Sequence, residues 1–495
     1  EYTETDDHIL FIEHPPIENI FSQLANIYSN LGIYSKSKTF FLRSLAIHEK
    51  ADEPNLNRIA SIYNGLGRIY SVQGLVEKGE SFFLKALDIY EKADESYFRE
   101  MAITLNYLAH LYQEKGLYSK AEPLLLRALA INEKEFGSDH IDTANSYNRL
   151  GMFYSIKGLY AKAEPFLLRA LAICEKTVGP ESMDSAYILN TLSVFYYSQD
   201  LVDKAISMAR RSIEINEKLL GLQSPDLATD LSNLAVFYGN QGLDNKAEPL
   251  LLRALAIMEK VFGKGSVNTT WSLNNLAKLY TRQGLYEKAE PLYRSALDIR
   301  LKILGDKHPE TSTSLSNLAE MYRSQHLYEK AVPLARRALQ LDLIFMQREA
   351  PFIALSERHF FIEMVGTMPE RSFSFASHGK LGDRLALFSR LNRQGLLEEI
   401  EKRQAQIIAL PGPQQLIAQE LREVSQQLAS MTINEEKREQ LTAKKEDLER
   451  KVYRLLPGLK PKIVEVDQVA KAIPTNGLLV EYQRYEPYDI SQIND

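Results

Sequence analysis

Hydrophobic positions recur along this chain with the spacing of amphipathic helices. Before Gly284, the residues Leu273, Leu276, Ala277 and Tyr280 follow the i, i+3, i+4, i+7 rule of one buried helix face. After Gly284 the same spacing resumes at Ala289, Leu292, Ala296, Leu297 and Ile299. The pattern predicts two amphipathic helices joined by a short turn at the glycine.

This predicted helix pair recurs every 42 residues, in eight copies. The turn position holds glycine in six copies and Asp200 or His326 in the other two. A leucine stands eight residues before every turn position, and a tyrosine stands four residues before it. Such regularity predicts an all-α solenoid of eight helix-turn-helix repeats, in which each pair buries its apolar face against its neighbours.

The repeat resembles a known family in several segments. Gly284-Leu-Tyr-Glu-Lys-Ala-Glu-Pro-Leu-Tyr-Arg-Ser-Ala-Leu297 and Ser314-Leu-Ser-Asn-Leu-Ala-Glu-Met-Tyr322 resemble tetratricopeptide repeats. The period and the Leu-Gly-Asp-Lys-His-Pro linker at 304–309 are similar to the kinesin-light-chain subtype. Over residues 14–343 the resemblance implies a right-handed superhelix, whose concave groove is lined by the first helices and holds a peptide or partner helix.

One polar column is the first candidate for ligand contact. The residue ten before the turn position is predicted to face the inner surface, and it is Asn in five repeats: Asn64, Asn106, Asn148, Asn190 and Asn274. An asparagine side chain has two N–H donors and an acceptor, which suits the backbone of an extended peptide. In the resembling family such asparagines grip the peptide backbone. The alternative is that they are solvated or make contacts between repeats.

Four further residues are candidates for side-chain recognition. Trp271, three residues before Asn274, is expected near the groove rim, either as a ligand contact or packed between repeats. Lys278, Arg282 and Arg323 lie on successive first helices and form a basic cluster suited to an acidic ligand or a carboxylate. The alternative is that they are solvent-facing charges. A lysine at the start of every second helix is interpreted as structural, because a position kept in every repeat cannot select a ligand.

The register ends after Leu341, and three further segments are predicted. Residues 344–380 are expected to form a helical cap, 381–459 a helical hairpin, and 460–495 the incomplete start of an α/β domain; residues 1–13 form an N-terminal segment. The hairpin is predicted from two apolar stripes, Ile417, Leu421, Val424 and Leu428 on one side and Leu441, Leu448, Val452 and Leu455 on the other. The segment Leu478–Tyr485 reads as a strand.

These last segments carry a second resemblance. Leu387-Phe-Ser-Arg-Leu-Asn-Arg-Gln-Gly395 and Ala472-Ile-Pro-Thr-Asn-Gly-Leu-Leu-Val-Glu-Tyr-Gln-Arg-Tyr485 resemble the region entering a CHAT domain, a caspase-like cysteine peptidase module that follows such repeat arrays in bacteria. That family uses a His and a Cys on later strands, which match nothing here. We therefore expect this chain to hold no catalytic residue, with any peptidase chemistry beyond Asp495.

Composition narrows the partners. A formal net charge of −6 over 495 residues argues against nucleic acid and anionic membranes, which need a strongly basic face. No apolar run is long enough to span a membrane. The single cysteine, Cys174, excludes an internal disulfide and a multi-cysteine metal site and fits a reducing cytoplasm. No motif predicts a metal or cofactor.

Two functions remain open from the sequence. The first is a bacterial sensor or regulatory array that binds a protein or peptide and controls its own downstream CHAT-like domain. The second is a stand-alone adaptor similar in role to kinesin light chain.

Overall fold

The computed structural model describes residues 15–51, 54–93, 97–114, 116–349, 383–389 and 392, together with scattered positions between 416 and 469. The N-terminal segment 1–13, most of the predicted cap and the predicted strand 478–485 lie outside these residues. Everything below concerns the described residues.

Sixteen α-helices form eight consecutive pairs in the described repeats, numbered 1–8. The first helices are α1 (Pro15–Asn30), α3 (Leu56–Val72), α5 (Phe98–Glu114), α7 (Ile141–Ile156), α9 (Met183–Tyr197), α11 (Pro225–Asn240), α13 (Thr270–Arg282) and α15 (Pro309–Ser324). The second helices are α2 (Tyr34–Lys50), α4 (Val76–Lys92), α6 (Tyr118–Phe136), α8 (Tyr160–Thr177), α10 (Val202–Leu220), α12 (Asp244–Phe262), α14 (Tyr286–Ile303) and α16 (Tyr328–Glu349). The predicted all-α helix-turn-helix architecture is confirmed, and α16 continues past residue 343.

The turn within each repeat requires a left-handed residue. Gly158 has φ of +70°, and its neighbour Leu159 donates its N–H to the Tyr154 carbonyl, 2.9 Å away, which closes the end of α7. Asp200 and His326, which replace the glycine in repeats 5 and 8, take the same conformation with φ of 59° and 60°. The turn geometry is therefore kept even where a side chain makes it costly.

The chain forms two compact units. The first contains Glu1–Gln113, Ser119–Leu243 and Arg253–Thr269, and the second contains Glu114–Tyr118, Asp244–Leu252 and Thr270–Asp495.

Small residues let the helices of a pair approach closely. Gly67 on α3 lies against the Phe83 ring of α4, and a Cβ atom added at Gly67 would meet that ring at 2.6 Å. The equivalent Ala109 and Ala277 are fully buried. A larger side chain here would force the two helices apart, which explains why this column alternates only among Gly, Ala and Ser.

The tyrosine column joins each repeat to the preceding one. Tyr154 Oη on α7 donates to Glu122 Oε1 on α6, 2.9 Å away, and Lys162 Nζ lies 5.7 Å from the centre of the Tyr154 ring. The same Tyr–Glu bond occurs at Tyr112, Tyr196, Tyr280 and Tyr322. Burial and the bond to Glu122 raise the pKa of Tyr154 to about 12. The tyrosine hydroxyl thus joins neighbouring repeats, while the lysine contact joins the two helices of one repeat.

The second helices carry a buried column of varied polarity that contacts the next repeat. Asn132 on α6 donates to Ser146 Oγ on α7, 2.9 Å away, whereas Arg300 on α14 donates to Ser314 Oγ on α15, also 2.9 Å away. Both side chains are buried. Because the partners differ from one junction to another, each junction accepts its own neighbour best.

The described part of the tail shows two packed features. Leu421 and Val424 form a cluster with Leu441 and Leu448, while the hairpin itself stays a prediction. Nearer the repeats, Asn392 binds both backbone groups of Val464: the Val464 N–H donates to Asn392 Oδ1 at 2.7 Å, and Asn392 Nδ2 donates to the Val464 carbonyl at 2.9 Å.

The tail is also attached to α16. The guanidinium of Arg336 on α16 lies 5.1 Å from the centre of the Phe388 ring and forms an ion pair with Glu465. Phe388 is buried. Arg336 on the second helix of repeat 8 therefore contacts both sides of the Asn392–Val464 bond, at Phe388 and at Glu465.

Candidate functional site

One column of the first helices presents its side chains to solvent. It lies thirteen residues before the turn position and includes Ile103, Tyr187 and Trp271, which are 41%, 49% and 61% exposed. Other large apolar side chains of the described residues are exposed to a similar degree, so exposure alone does not make this column a site. The Trp271 ring lies 5.9 Å from the guanidinium of Arg300. Trp271 is thus largely exposed, and its role as a ligand contact stays a prediction.

The asparagine column lies deeper than the sequence indicates. Asn64, Asn106 and Asn274 are buried and Asn148 is fully buried, while Asn190 is half-buried. Two of them bridge neighbouring first helices. Asn64 Nδ2 on α3 donates to Thr104 Oγ1 on α5, 2.8 Å away, and Asn190 Oδ1 on α9 accepts from Asn233 Nδ2 on α11, also 2.8 Å away. Contacts between repeats, one of the two interpretations, therefore do occur.

The same column retains unused hydrogen-bonding capacity. Within the described part of the chain, no partner meets the buried Oδ1 atoms of Asn64, Asn106, Asn148 and Asn274. A buried acceptor without a donor costs about 1–3 kcal/mol. These acceptors lie beneath the exposed side chains of the first helices. Their role as peptide contacts stays a prediction.

Among the recesses on the first helices of the first compact unit, two are more than twice the volume of a third. The first, of about 520 Å³, is lined by Arg58, Arg68 and Asn64 of α3 and by Ile103 and Tyr107 of α5. We call it the Arg58 recess.

The second recess, of about 490 Å³, contains Asn106 of α5, Arg149 of α7 and Tyr187 of α9. We call it the Arg149 recess. Ile103 and Tyr107 line it as well, so these two side chains separate the two recesses.

The arginines of these recesses differ in availability. The guanidinium of Arg99 already has a carboxylate partner, because it pairs with Asp142 at 2.9 Å on the edge of the Arg149 recess. The guanidinium of Arg68 lies 5.5 Å from the centre of the Tyr107 ring. Among the described residues, no carboxylate pairs with the guanidinium of Arg58 or Arg149. These two cations are therefore accessible to an anionic group.

The predicted basic cluster is placed differently. Arg282 forms an ion pair with Asp244, and Arg323 bonds to Glu320, with Nε 2.8 Å from Oε2. The bond to Glu320 raises the pKa of Arg323. Lys278 is exposed on α13. Arg282 and Arg323 therefore already face a carboxylate, and an acidic ligand would have to displace it.

The described residues offer little for chemistry. They contain no group of three or more His, Cys, Asp and Glu placed to hold a metal ion. No helix among them has the length and apolar character needed to cross a bilayer. Cys174 is fully buried, and burial, followed by the nearby Asp184 and Glu175, raises its pKa to about 12. A thiol in that state is a poor nucleophile.

The sequence itself carries a signal for Arg58 and Arg149, the two arginines without a carboxylate partner. In most other repeats the position of Arg58 is acidic, as in Glu100, Asp142 and Asp226, whereas repeat 2 reverses the charge. Arg149 is the only cation in its own column, where Asn stands in three repeats. A departure from a column's usual residue marks a position at which one repeat differs in function from its neighbours.

Comparison with family models identifies the repeats. The tetratricopeptide repeat model matches residues 16–92, 100–176, 142–218, 184–260, 226–302 and 268–343, well over half of the chain. The chain belongs to the tetratricopeptide repeat family. It is a helical protein-interaction scaffold, and the repeats that form it belong to a family whose fold is not enzymatic.

Solved structures give partial likenesses. BtubC (BKLC) from P. vanneervenii is 27% identical over 47% of this chain and 91% of its own, with a TM-score of 0.38. Kinesin light chain repeats from Podosopora anserina are 24% identical over 41% of this chain and 96% of theirs, with a TM-score of 0.36.

A Rap protein complexed with Competence and Sporulation Factor is 14% identical over 66% of this chain and 97% of its own, with a TM-score of 0.44. At TM-scores below 0.5 these likenesses do not bear on function. Comparison with curated proteins gave no match.

Proposed function

We propose that the inner face of the first helices binds an extended segment of another polypeptide. The observation that carries this proposal is the row of buried asparagine acceptors without donors, which lies beneath exposed side chains and two open recesses. An extended segment has free backbone N–H groups along its whole length, whereas a bound helix has used nearly all of its own. The row therefore suits an extended segment better than a helix.

We further propose that the array is the cytoplasmic sensor or regulatory part of a bacterial CHAT-domain protein. The resemblance of residues 387–395 and 472–485 to the entry of that domain supports this role. A second support is structural: Val464 bonds to Asn392, and Glu465 pairs with Arg336 of repeat 8. These contacts offer a route from repeat 8 to any module behind it. The alternative is a stand-alone adaptor similar in role to kinesin light chain.

The binding proposal is tested by selecting peptides from a random displayed library on the purified chain. Dissociation constants of the selected peptides are then measured for the wild type and for the Asn106→Ala, Asn148→Ala double variant. Each lost hydrogen bond is expected to cost about 0.5–1.5 kcal/mol, so the double variant should bind roughly tenfold more weakly. Neither side chain has a strong partner in the described residues, so the fold should survive, which thermal unfolding checks.

A matched control replaces Arg211, a half-buried second-helix arginine paired with Glu175, by alanine. This variant should bind the selected peptides as the wild type does. Failure to select any peptide, or equal binding by the double variant, would refute the proposal.

The sensor role is tested separately by reading the parent gene beyond codon 495. Downstream strands carrying a His and a Cys would support the CHAT assignment, and a stop codon would favour the adaptor.

A further inference from the structure

Resting on the proposed peptide binding, we infer that repeats 2–5 select a polyproline II segment whose acidic and apolar side chains alternate every three residues. Four successive first helices carry the inference, since their exposed groups alternate in kind. Repeat 2 presents Arg58 and Arg68, repeat 3 presents Ile103 and Tyr107, repeat 4 presents Arg149, and repeat 5 presents Tyr187. All of them line the two recesses.

The cations of repeats 2 and 4 favour an acidic ligand. No carboxylate pairs with Arg58 or Arg149 among the described residues, and Glu100 is the single acidic residue lining the Arg58 recess, against the two arginines Arg58 and Arg68. In the Arg149 recess the carboxylate of Asp142 is already paired with Arg99. Each recess thus has one cation in excess, and a guanidinium binds a carboxylate through charge-assisted hydrogen bonds.

Arg58 is placed against the electrostatics of its own helix. It is the third residue of α3, after the N-cap Asn55, whose side chain accepts the Arg58 backbone N–H at 3.1 Å. The N-terminus of a helix carries partial positive charge, so an acidic residue is favoured in this turn and a cation is disfavoured. Other repeats follow that rule with Glu100, Asp142 or Asp226. Local helix stability does not explain the arginine, whereas an anionic ligand does.

The spacing of the helices sets the spacing of the ligand's side chains. Neighbouring first helices touch directly, as the Asn64–Thr104 bond between α3 and α5 and the Arg99–Asp142 pair between α5 and α7 show. Helices in such contact have axes about 8–10 Å apart. A polyproline II chain rises about 3.1 Å per residue with three residues per turn, or about 9.3 Å per turn.

Conformation follows from that match. In polyproline II, side chains three residues apart point the same way, and the distance between them is about that between neighbouring first helices. In a β-strand, residues three apart point to opposite faces. Polyproline II also leaves its backbone N–H groups without internal partners. The buried Oδ1 atoms of Asn64 and Asn106, one in each recess, are acceptors for such groups.

The experiment uses a synthetic 13-residue fluorescent peptide with anchors at every third position in the order acid, apolar, acid, apolar, acid. Alanine and proline fill the remaining positions and favour polyproline II. The order of anchors is the same in both chain directions, so orientation in the groove does not matter. A second peptide of identical composition has its anchors two and four residues apart.

The regularly spaced peptide is expected to bind the full chain about tenfold more tightly than the irregular one, as one misplaced charge-assisted contact implies. Arg149→Gln should remove most of that preference. In the Arg149→Glu variant, the preference for regularly spaced anchors should return only when the acidic anchors of the peptide are replaced by lysine. The Arg211→Ala control should leave it unchanged.

The outcomes separate the two proposals. Equal binding of both peptides, or a preference that survives Arg149→Gln, would overturn the alternation while the library-selected peptides and the asparagine variant still establish the groove. If no peptide of either kind, selected or designed, binds the chain, the proposed function itself fails.

Discussion

The first helices of repeats 2–4 and of repeats 7–8 both carry basic residues, but the two sets differ in what surrounds them. In repeats 2–4, Arg58 and Arg149 line open recesses and face no carboxylate among the described residues. In repeats 7–8, Arg282 is paired with Asp244 and Arg323 with Glu320. A similar number of charges in a sequence thus gives an available site in one region and a compensated surface in the other.

The difference teaches that availability is a property of the pair and not of the residue. An exposed ion pair contributes only about 0–1 kcal/mol to stability. It nevertheless takes its cation out of competition for a ligand, because the ligand must then replace an existing partner. The four predictions below test this contrast, from the largest expected effect to the smallest.

Charge reversal separates the two regions most clearly. Arg149→Glu is expected to weaken binding of an acidic peptide by about a hundredfold, since an attraction is replaced by repulsion in a partly dry recess. Arg282→Glu should change it by about threefold or less. Fluorescence anisotropy at fixed ionic strength measures both, and a larger loss for Arg282→Glu would reverse the comparison.

An arginine buried for structure should behave in the opposite way. Arg300 is buried and binds Thr270, Ser314 and the carbonyl of Glu310. Arg300→Met should lower the free energy of unfolding by about 2–3 kcal/mol, because several hydrogen bonds to a charged group are lost together.

Arg149→Gln is the matched variant for this measurement and should change stability by about 0.5 kcal/mol or less. Thermal and urea unfolding of both variants give the comparison. A stability loss as large for Arg149→Gln would show that Arg149 is structural too.

A buried carboxylate in repeat 8 should make stability depend on pH. Burial raises the pKa of Asp342 to about 7 although Ser312 donates to it at 2.5 Å. Since the folded pKa lies above the unfolded value of about 3.9, the folded state binds the extra proton between these values. Stability should therefore fall as pH rises from about 4 to 7.

The Asp342→Asn variant cannot titrate and should lose that part of the pH dependence. We expect the difference in unfolding free energy between wild type and variant to change by about 2–3 kcal/mol between pH 5 and pH 8. Parallel pH profiles for the two proteins would contradict the assignment of the titration to Asp342.

The smallest effect concerns the contacts that stack repeats in the binding region. Tyr154→Phe removes the hydroxyl that bonds to Glu122 and should cost about 1 kcal/mol of stability. Peptide affinity should stay within about twofold, since the hydroxyl bonds within the stack and not in a recess. Calorimetry and anisotropy on the same sample test the two statements, and a large affinity loss would link stacking to binding.

The sequence was sufficient for the repeat architecture because its signals are local and periodic. Leu66 and Tyr70 stand at fixed distances from Gly74, and the same spacing in eight repeats determines the helix pairs. The sites were harder to predict because their partners are distant in sequence. The buried Asn64 donates to Thr104, 40 residues away, and Arg282 pairs with Asp244, 38 residues away.

Exposure was the other quantity that periodicity could not supply. The spacing identifies the buried Leu and Tyr columns, but several other columns lie near the edge of the buried face. An asparagine at that edge is either exposed to solvent or buried by a neighbouring helix. The structure places Asn148 on the covered side and Trp271 on the open side. Only the neighbouring helix, contributed by another repeat, decides between them.

Photo-crosslinking tests the central claim most directly, because it reports which face a bound peptide touches. A benzoylphenylalanine replaces Ile103 or Tyr187 on the inner face, or Leu126, an exposed position on the second helix α6. The account predicts crosslinks to a bound labelled peptide from positions 103 and 187 and none from 126. Crosslinks from 126 with none from 103 or 187 would contradict it.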